Sequence, residues 1–262
     1  MIKVSFSGLR ERLQTLDRLE REQLPFAATL ALTRTAQVVA DDLRQEMQVA
    51  FDRPTPATLD SLFIRPATRQ RMEASVWIKD GRSAGPGGGL VGQVGRWGKG
   101  RAAIKWLSPE VFGGPRDDKG VEAMLRRRGV LTQGQYIVPG NGLALDQFGN
   151  IPRGKLNQIM SGARLFTQEG YSANATGSKR SRAKGHGKRY IVMHDTNRKP
   201  FAVAERTGSG RAGLKIVLAF ARRPTYSKAL DWFAIAERSA EAALPVEFEK
   251  AMAQALATRR AR

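Results

Sequence analysis

The sequence predicts an α+β fold: a small antiparallel sheet packed with long N- and C-terminal helices, plus a long basic, Gly-rich insertion. Three observations predict it. Apolar residues recur at helical spacing near both ends, as Leu32, Ala36, Val39, Leu43 and Met47, then as Trp232, Ile235, Ala236 and Ala240. Short alternating runs bounded by Gly, Pro and Asp read as strands. Charge is concentrated in the middle. Residues 81–189 carry 19 basic and 6 acidic groups, against 12 and 11 in residues 1–80 and 13 and 7 in residues 190–262. The predicted organisation is therefore a scaffold of 1–80 with 190–262, and an insertion of 81–189.

The elements follow in order. Met1–Phe6 alternates as a short strand, and Ser7 caps a helix with Leu9, Leu13, Leu16 and Leu19 on one stripe. Pro25 interrupts that helix and opens a second, running to about Phe51. "RPTPATLD" is a turn. "SLFIRPAT" and "MEASVWIKD" form a hairpin whose second strand is apolar on both faces. Residues 81–100 contain nine glycines, too many for a regular element. Short helices are expected at about 107–113 and 119–128. Asp146–Asn150 has turn chemistry. A helix starts near Pro152, with Leu156, Ile159 and Met160 inward. "RYIVMHD" is a strand. "PFAVAERTGSGRAGLKIVLAFAR" is a hairpin turned by "GSGRAG", its second strand central. A helix follows from about Ser227, interrupted at Pro245 and continued by Phe248, Met252 and Leu256.

Composition bounds the chemistry. The chain has 262 residues, 44 Lys or Arg, 24 Asp or Glu, and no cysteine. Disulfides, thiolate metal sites and thiol nucleophiles are excluded. No stretch approaches the roughly 18 apolar residues of a membrane span, and "MIKVSFSGLR" lacks an apolar signal core, so assembly in the cytoplasm is expected. A net charge of +20 favours an anionic partner, nucleic acid or an acidic protein face.

Catalytic constellations are poorly signalled. His186 and His194 are the two histidines, too few for the hydrolase site that "HD" at His194–Asp195 suggests. "GQVGRWGKG" fails the spacing of a phosphate loop, and Gly100 stands where its hydroxyl belongs. Asp117 and Asp118 are adjacent and point apart in an extended segment, while Asp41 and Asp42 lie at neighbouring angles on a helix, and neither pair makes a metal-binding or hydrolytic cluster. The reading is a protein that is not an enzyme and binds no cofactor or metal. The basic run "GSKRSRAKGHGKRY" and the triplet "RRR" supply the candidate contacts to phosphate or to an acidic partner: Lys179, Arg180, Arg182, Lys184, Lys188 and Arg189, with Arg126, Arg127 and Arg128. Aromatic interleaving is sparse, so base stacking is not signalled.

Three stretches carry a family resemblance: "FDRPTPATLDSLFIRPATRQRMEASVWIKD", "LDQFGNIPRGKLNQIMSGARLF" and "FARRPTYSKALDWFAIAERSAEAALPVEFEKAMAQALATRR". Together they resemble tailed-phage and prophage proteins of the minor tail protein Z type, which are tail-completion or neck proteins. The resemblance spans most of the chain and is weakest in the basic insertion. It implies a structural virion protein at the head–tail junction, assembled in the bacterial cytoplasm as a homo-oligomeric ring, a hexamer by the symmetry usual at this level. It further implies contacts with the tail terminator, tail tube, tape-measure or head-side connector proteins, and DNA in the channel as an added partner. The alternative is a sequence-neutral DNA-binding protein acting through the basic insertion. A metal-dependent nuclease is a third reading.

Overall fold

The structure is a computed structural model, and it describes residues 2–5, 18–79, 103–165, 178–183 and 189–260. The chain forms two compact units. The terminal unit comprises Met1–Gly114 and Ser227–Arg262, and the middle unit Pro115–Tyr226. The α+β class holds, with long helices near both ends and small antiparallel sheets.

In the terminal unit, helix α1 (Arg18–Ala50) runs along helix α7 (Trp232–Arg260). Ala27 and Ala31 pack against Ala251 and Ala255, and Ser239 donates to Asp42, so the two helices are antiparallel. All four alanines are fully buried, and their small side chains let the two backbones approach closely. Strand β1 (Ile2–Ser5) and strand β2 (Leu62–Arg65) flank strand β3 (Glu73–Ile78). Helix α2 (Pro56–Leu59) lies between α1 and β2, and the Thr55 hydroxyl accepts from the Thr58 amide. Helix α3 (Ile104–Phe112) adds Leu107 and Val111 to a core built on Leu32, Val39, Leu43, Met47, Val76 and Trp232. Ala74, Ser75 and Val76 are consecutive and all buried, as expected of a strand covered on both faces.

In the middle unit, strands β5 (Gln135–Pro139), β8 (Leu214–Arg222), β7 (Pro200–Arg206) and β6 (Tyr190–His194) form an antiparallel sheet in that order. Helix α4 (Gly120–Arg127) and helix α5 (Arg153–Gly162) supply Leu125, Ile159 and Met160 to a core with Ile137, Val203 and Leu218. Gly140 follows β5, and a Cβ there would stand 2.3 Å from the Ile216 carbonyl oxygen. Only glycine lets the chain leave the sheet so close to β8. Gly114–Pro115 (β4) and Thr225–Tyr226 (β9) pair as a separate two-stranded ribbon. Helix α6 (Lys179–Ala183) lies in the basic run.

Several expectations are corrected. Pro25 and Pro245 do not interrupt their helices, which run through both. A proline removes one ladder hydrogen bond, and a long helix packed along its partner retains the rest. The C-terminal helix begins at Trp232, not Ser227, and Ile235 N–H donates to the Asp231 carbonyl in its first turn. Leu256 is half exposed, while Ala251 and Ala255 hold the inward positions. The hairpins at 62–79 and 201–221 belong to separate sheets, because β1 and β2 occupy the edges of β3 while β5 and β6 flank the β8–β7 pair. The two compact units meet at 114/115 and 226/227, a different division from the boundaries at 80/81 and 189/190 drawn from composition. The helix expected from Ser7 through Leu9, Leu13 and Leu16, and the glycine-rich stretch 81–100, lie outside the described residues.

Candidate functional site

The basic character of the chain resides mainly in the middle unit. Pro115–Tyr226 holds 21 basic and 7 acidic residues, net +14 of the total +20. How those charges are partnered decides which of them face a ligand.

One cluster forms around Glu122, at the first turn of α4. Its carboxylate is fully buried. It receives both Arg116 guanidinium nitrogens, at 2.6 and 2.8 Å, the Lys119 amide at 2.7 Å and the Ile137 amide at 2.9 Å. Four donors fill the four lone-pair positions of a carboxylate. Burial pushes the Glu122 carboxyl up, but the Arg116 fork and the two amides outweigh it and hold it below its ordinary value. Arg116 is itself raised by the hydrogen bond to Glu122. The Arg116 and Arg126 guanidinium carbons lie 4.8 and 5.2 Å from the centre of the Tyr136 ring. Arg126 also pairs with Asp118 and donates to the Gln135 carbonyl at 2.6 Å.

A second cluster forms around Glu205 on β7, which is 6% exposed. Arg189 donates to it from Nε at 2.7 Å and pairs with it through Nη2 at 2.6 Å, and the Tyr190 hydroxyl donates at 3.2 Å. Lys155 from α5 stands 3.5 Å from its other oxygen and 3.0 Å from the Tyr190 hydroxyl. Burial pushes this carboxyl up as well, and Arg189, with Lys155 and Tyr190, holds it low. The pairing register places Tyr190 opposite Glu205. The end of the basic run is thereby fixed to the start of β6.

The candidate residues thus separate. Arg126 and Arg189 are engaged in intramolecular pairs. Arg128 donates to the Arg164 carbonyl at 2.7 Å. Arg127, Lys179 and Arg180 are exposed. Arg182 is placed on α6, and Lys184 and Lys188 lie outside the described residues. The structure does not bring the "RRR" triplet and the run together as one described cluster.

Sequence reasoning missed a second group of cations. Arg206 ends β7, Arg211 lies in the turn and Lys215 is the second residue of β8. All three are exposed, and none has a salt bridge or side-chain hydrogen bond among the described residues. The signal was present: "GSGRAG" marks a hairpin turn, and antiparallel pairing around it brings Arg206 and Lys215 to one end of the sheet. The charges are interrupted by glycines and apolar residues, so they do not read as a run.

Among the described residues, no group of three or more His, Asp or Glu could hold a metal ion, and no helix is long and apolar enough to cross a membrane. Asp41 pairs with Arg44 of the same helix, whereas Asp42 accepts from Ser239 of α7, so the two carboxylates are engaged separately. Asp195 accepts from the amides of Asn197 and Lys199 and shapes the turn between β6 and β7. Comparison with protein-family models, with curated proteins and with solved structures finds no match to this chain.

Proposed function

We propose that this chain is a structural virion protein of the phage head–tail junction, a neck or tail-completion protein that assembles as a homo-oligomeric ring. The observation that carries the reading is the resemblance of the three quoted stretches to minor tail protein Z-type proteins. The geometry is compatible with a structural role. The buried Glu122 carboxylate is filled by four donors, and Glu205 is held by Arg189, Tyr190 and Lys155, so both carboxylates tie elements of the fold together. Ring subunits need two different faces that meet head to tail. Exposed Phe112, at 63%, and Phe233, at 46%, with ring centroids 6.1 Å apart, give the terminal unit an apolar surface suited to such a contact. Partners on this reading are further copies of the chain, the tail terminator, the tail tube, the tape-measure protein or the head-side connector.

The test is to probe purified particles for the chain and to weigh the purified protein by native mass spectrometry. A ring-sized oligomer, and stoichiometric presence in particles, are expected. A chain that stays monomeric and is missing from particles overturns the proposal.

A second reading, sequence-neutral DNA binding outside a particle, is favoured by the net charge of +14 on the middle unit and by exposed Lys179 and Arg180. It predicts duplex binding that weakens steeply with salt, with a log–log slope of about −5 for six phosphate contacts.

A further inference from the structure

The four strands of the middle sheet bring separate parts of the sequence to one end. β7 ends at Arg206, and β8 begins at Leu214, paired with it. Lys215 is opposite Glu205, which is in turn opposite Tyr190 on β6. Arg189, where the basic run joins the sheet, therefore lies at the same end as the β7–β8 hairpin. The acidic group there is Glu205, and Arg189 and Lys155 already hold it. Arg206, Arg211 and Lys215 stand exposed beside this neutralised cluster, without ion-pair partners among the described residues.

The hairpin is shaped rather than slack. Thr207 N–H donates to the Gly213 carbonyl at 2.7 Å and Leu214 N–H to the Arg211 carbonyl at 3.1 Å. Gly213 lies so close to Gly208 that a Cβ on it would stand 2.3 Å from the Gly208 carbonyl carbon. The chain crosses itself tightly there, and this fixes where the Arg211 backbone sits.

We infer that this hairpin end, with Arg206, Arg211 and Lys215 as its contacts, is a docking surface for the phosphate backbone of duplex DNA. The chemistry of the turn selects that occupant. From Arg206 to Lys215 the sequence is "RTGSGRAGLK", which holds three cations, no acid and no aromatic. Protein interfaces are anchored by buried aromatic and apolar side chains, and single-strand binders by stacking aromatics. Apart from the half-buried Leu214, the stretch offers cations, small residues and backbone amides, which suit phosphate oxygens with no readout of sequence. The inference takes its ligand class from the second reading above. It moves the contacts from the linear run to residues that strand pairing gathers at one end of the hairpin, Lys215 on the sheet face it shares with Glu205 and Arg206 on the opposite face, and it is independent of the virion proposal.

The test measures binding of the full chain to a short fluorescent duplex across a salt series. Three proteins are compared: the native chain, a hairpin variant (Arg206→Ala, Arg211→Ala, Lys215→Ala) and a control that removes three exposed cations of the terminal unit (Arg65→Ala, Lys105→Ala, Arg238→Ala). Both variants lose the same net charge. Each phosphate contact removed lowers affinity about eightfold at roughly 0.1 M salt and makes the log–log slope shallower by about 0.9. The hairpin variant is expected to bind several hundred-fold more weakly, on the order of three such contacts, with a slope shallower by about 2.7. The control is expected to stay within about threefold of native, since its three cations belong to no proposed phosphate contact and act only through screened charge. Equal losses in the two variants, or none in the hairpin variant, overturn the inference while leaving DNA binding standing. No binding by the native chain overturns both. Tighter binding to poly-glutamate than to the duplex at equal charge identifies an acidic protein partner instead, and also overturns it. Circular dichroism and melting of the hairpin variant should match native, because the three side chains are exposed.

Discussion

Among the described residues of the terminal unit the buried polar side chains are hydroxyls, Thr35, Ser61, Ser75 and Ser239, set among aliphatic helix–sheet contacts. In the middle unit they include two glutamates, Glu122, held by Arg116 and two backbone amides, and Glu205, held by Arg189, Lys155 and the Tyr190 hydroxyl. The contrast follows from charge. The terminal unit is nearly balanced and can leave its acids at the surface. The middle unit has 7 acids for 21 bases. It places two of those acids inside. Asp118 pairs with Arg126, and Asp146 and Asp195 accept backbone amides in turns. Little negative charge is left to screen the exposed cations. A fold organised in this way presents a more uniformly basic surface than its composition alone suggests.

Substitutions can break or sharpen this contrast. The largest effect is expected from Glu122→Ala, which strands Arg116, the buried Ile137 amide and the half-buried Lys119 amide. Breaking one side of a buried pair costs about 3–5 kcal/mol. Hydrogen exchange should show lost protection concentrated in β5, α4 and β8. Equal loss throughout the terminal unit would remove the basis for treating the two as separate cores.

The same carboxylates impose a pH dependence. Glu122 and Glu205 are held below the ordinary glutamate value of 4.5, so their contribution is complete above that value and is lost as pH falls through their lower folded values. Urea midpoints for the middle unit should drop between neutral and strongly acidic pH. A Glu122→Gln, Glu205→Gln variant, weaker at neutral pH, should show a flatter profile. An unchanged slope in that variant would assign acid sensitivity to other groups.

Leu43→Ala probes the other core. Leu43 is fully buried between α1 and the sheet, and the cavity should cost about 2–5 kcal/mol. Its effect should fall on the terminal unit and be nearly independent of pH. The smallest effect is expected from Thr55→Ala, which removes the hydroxyl that accepts the Thr58 amide at 3.2 Å. Loss of such a cap costs about 1 kcal/mol, visible as a small shift in melting temperature.

Much of the fold was legible because periodicity records burial. Leu32, Ala36, Val39, Leu43 and Met47 repeat at three and four, and all are buried on α1. The 62–79 hairpin, the turn at Asp146–Asn150 and the helix after Pro152 were each written in local chemistry. Strand β5 was missed: "QYIVP" is short and lies between Gly134 and Gly140 in a stretch that reads as loop, and its strand character comes from pairing with β8. The prolines misled for a related reason. Pro25 and Pro245 signal helix breaks locally, but each costs one hydrogen bond in a helix secured along its length by its neighbour. The candidate site was half legible. The run ending at Arg189 could be seen, but its attachment to Glu205, sixteen residues on, could not.

The sequence by itself determined the α+β class, the two long helices, the antiparallel hairpins and the basic middle, since each rests on residue spacing or on counting. Tertiary structure alone decided that the hairpins enter different sheets, that Arg116, Arg126 and Arg189 are consumed by the fold, and that Arg206, Arg211 and Lys215 are left facing outward. Those outcomes depend on which strand meets which edge, and on whether a charge finds an opposite charge after the chain has closed. Neither quantity is local, so composition can give the amount of charge without giving its partners.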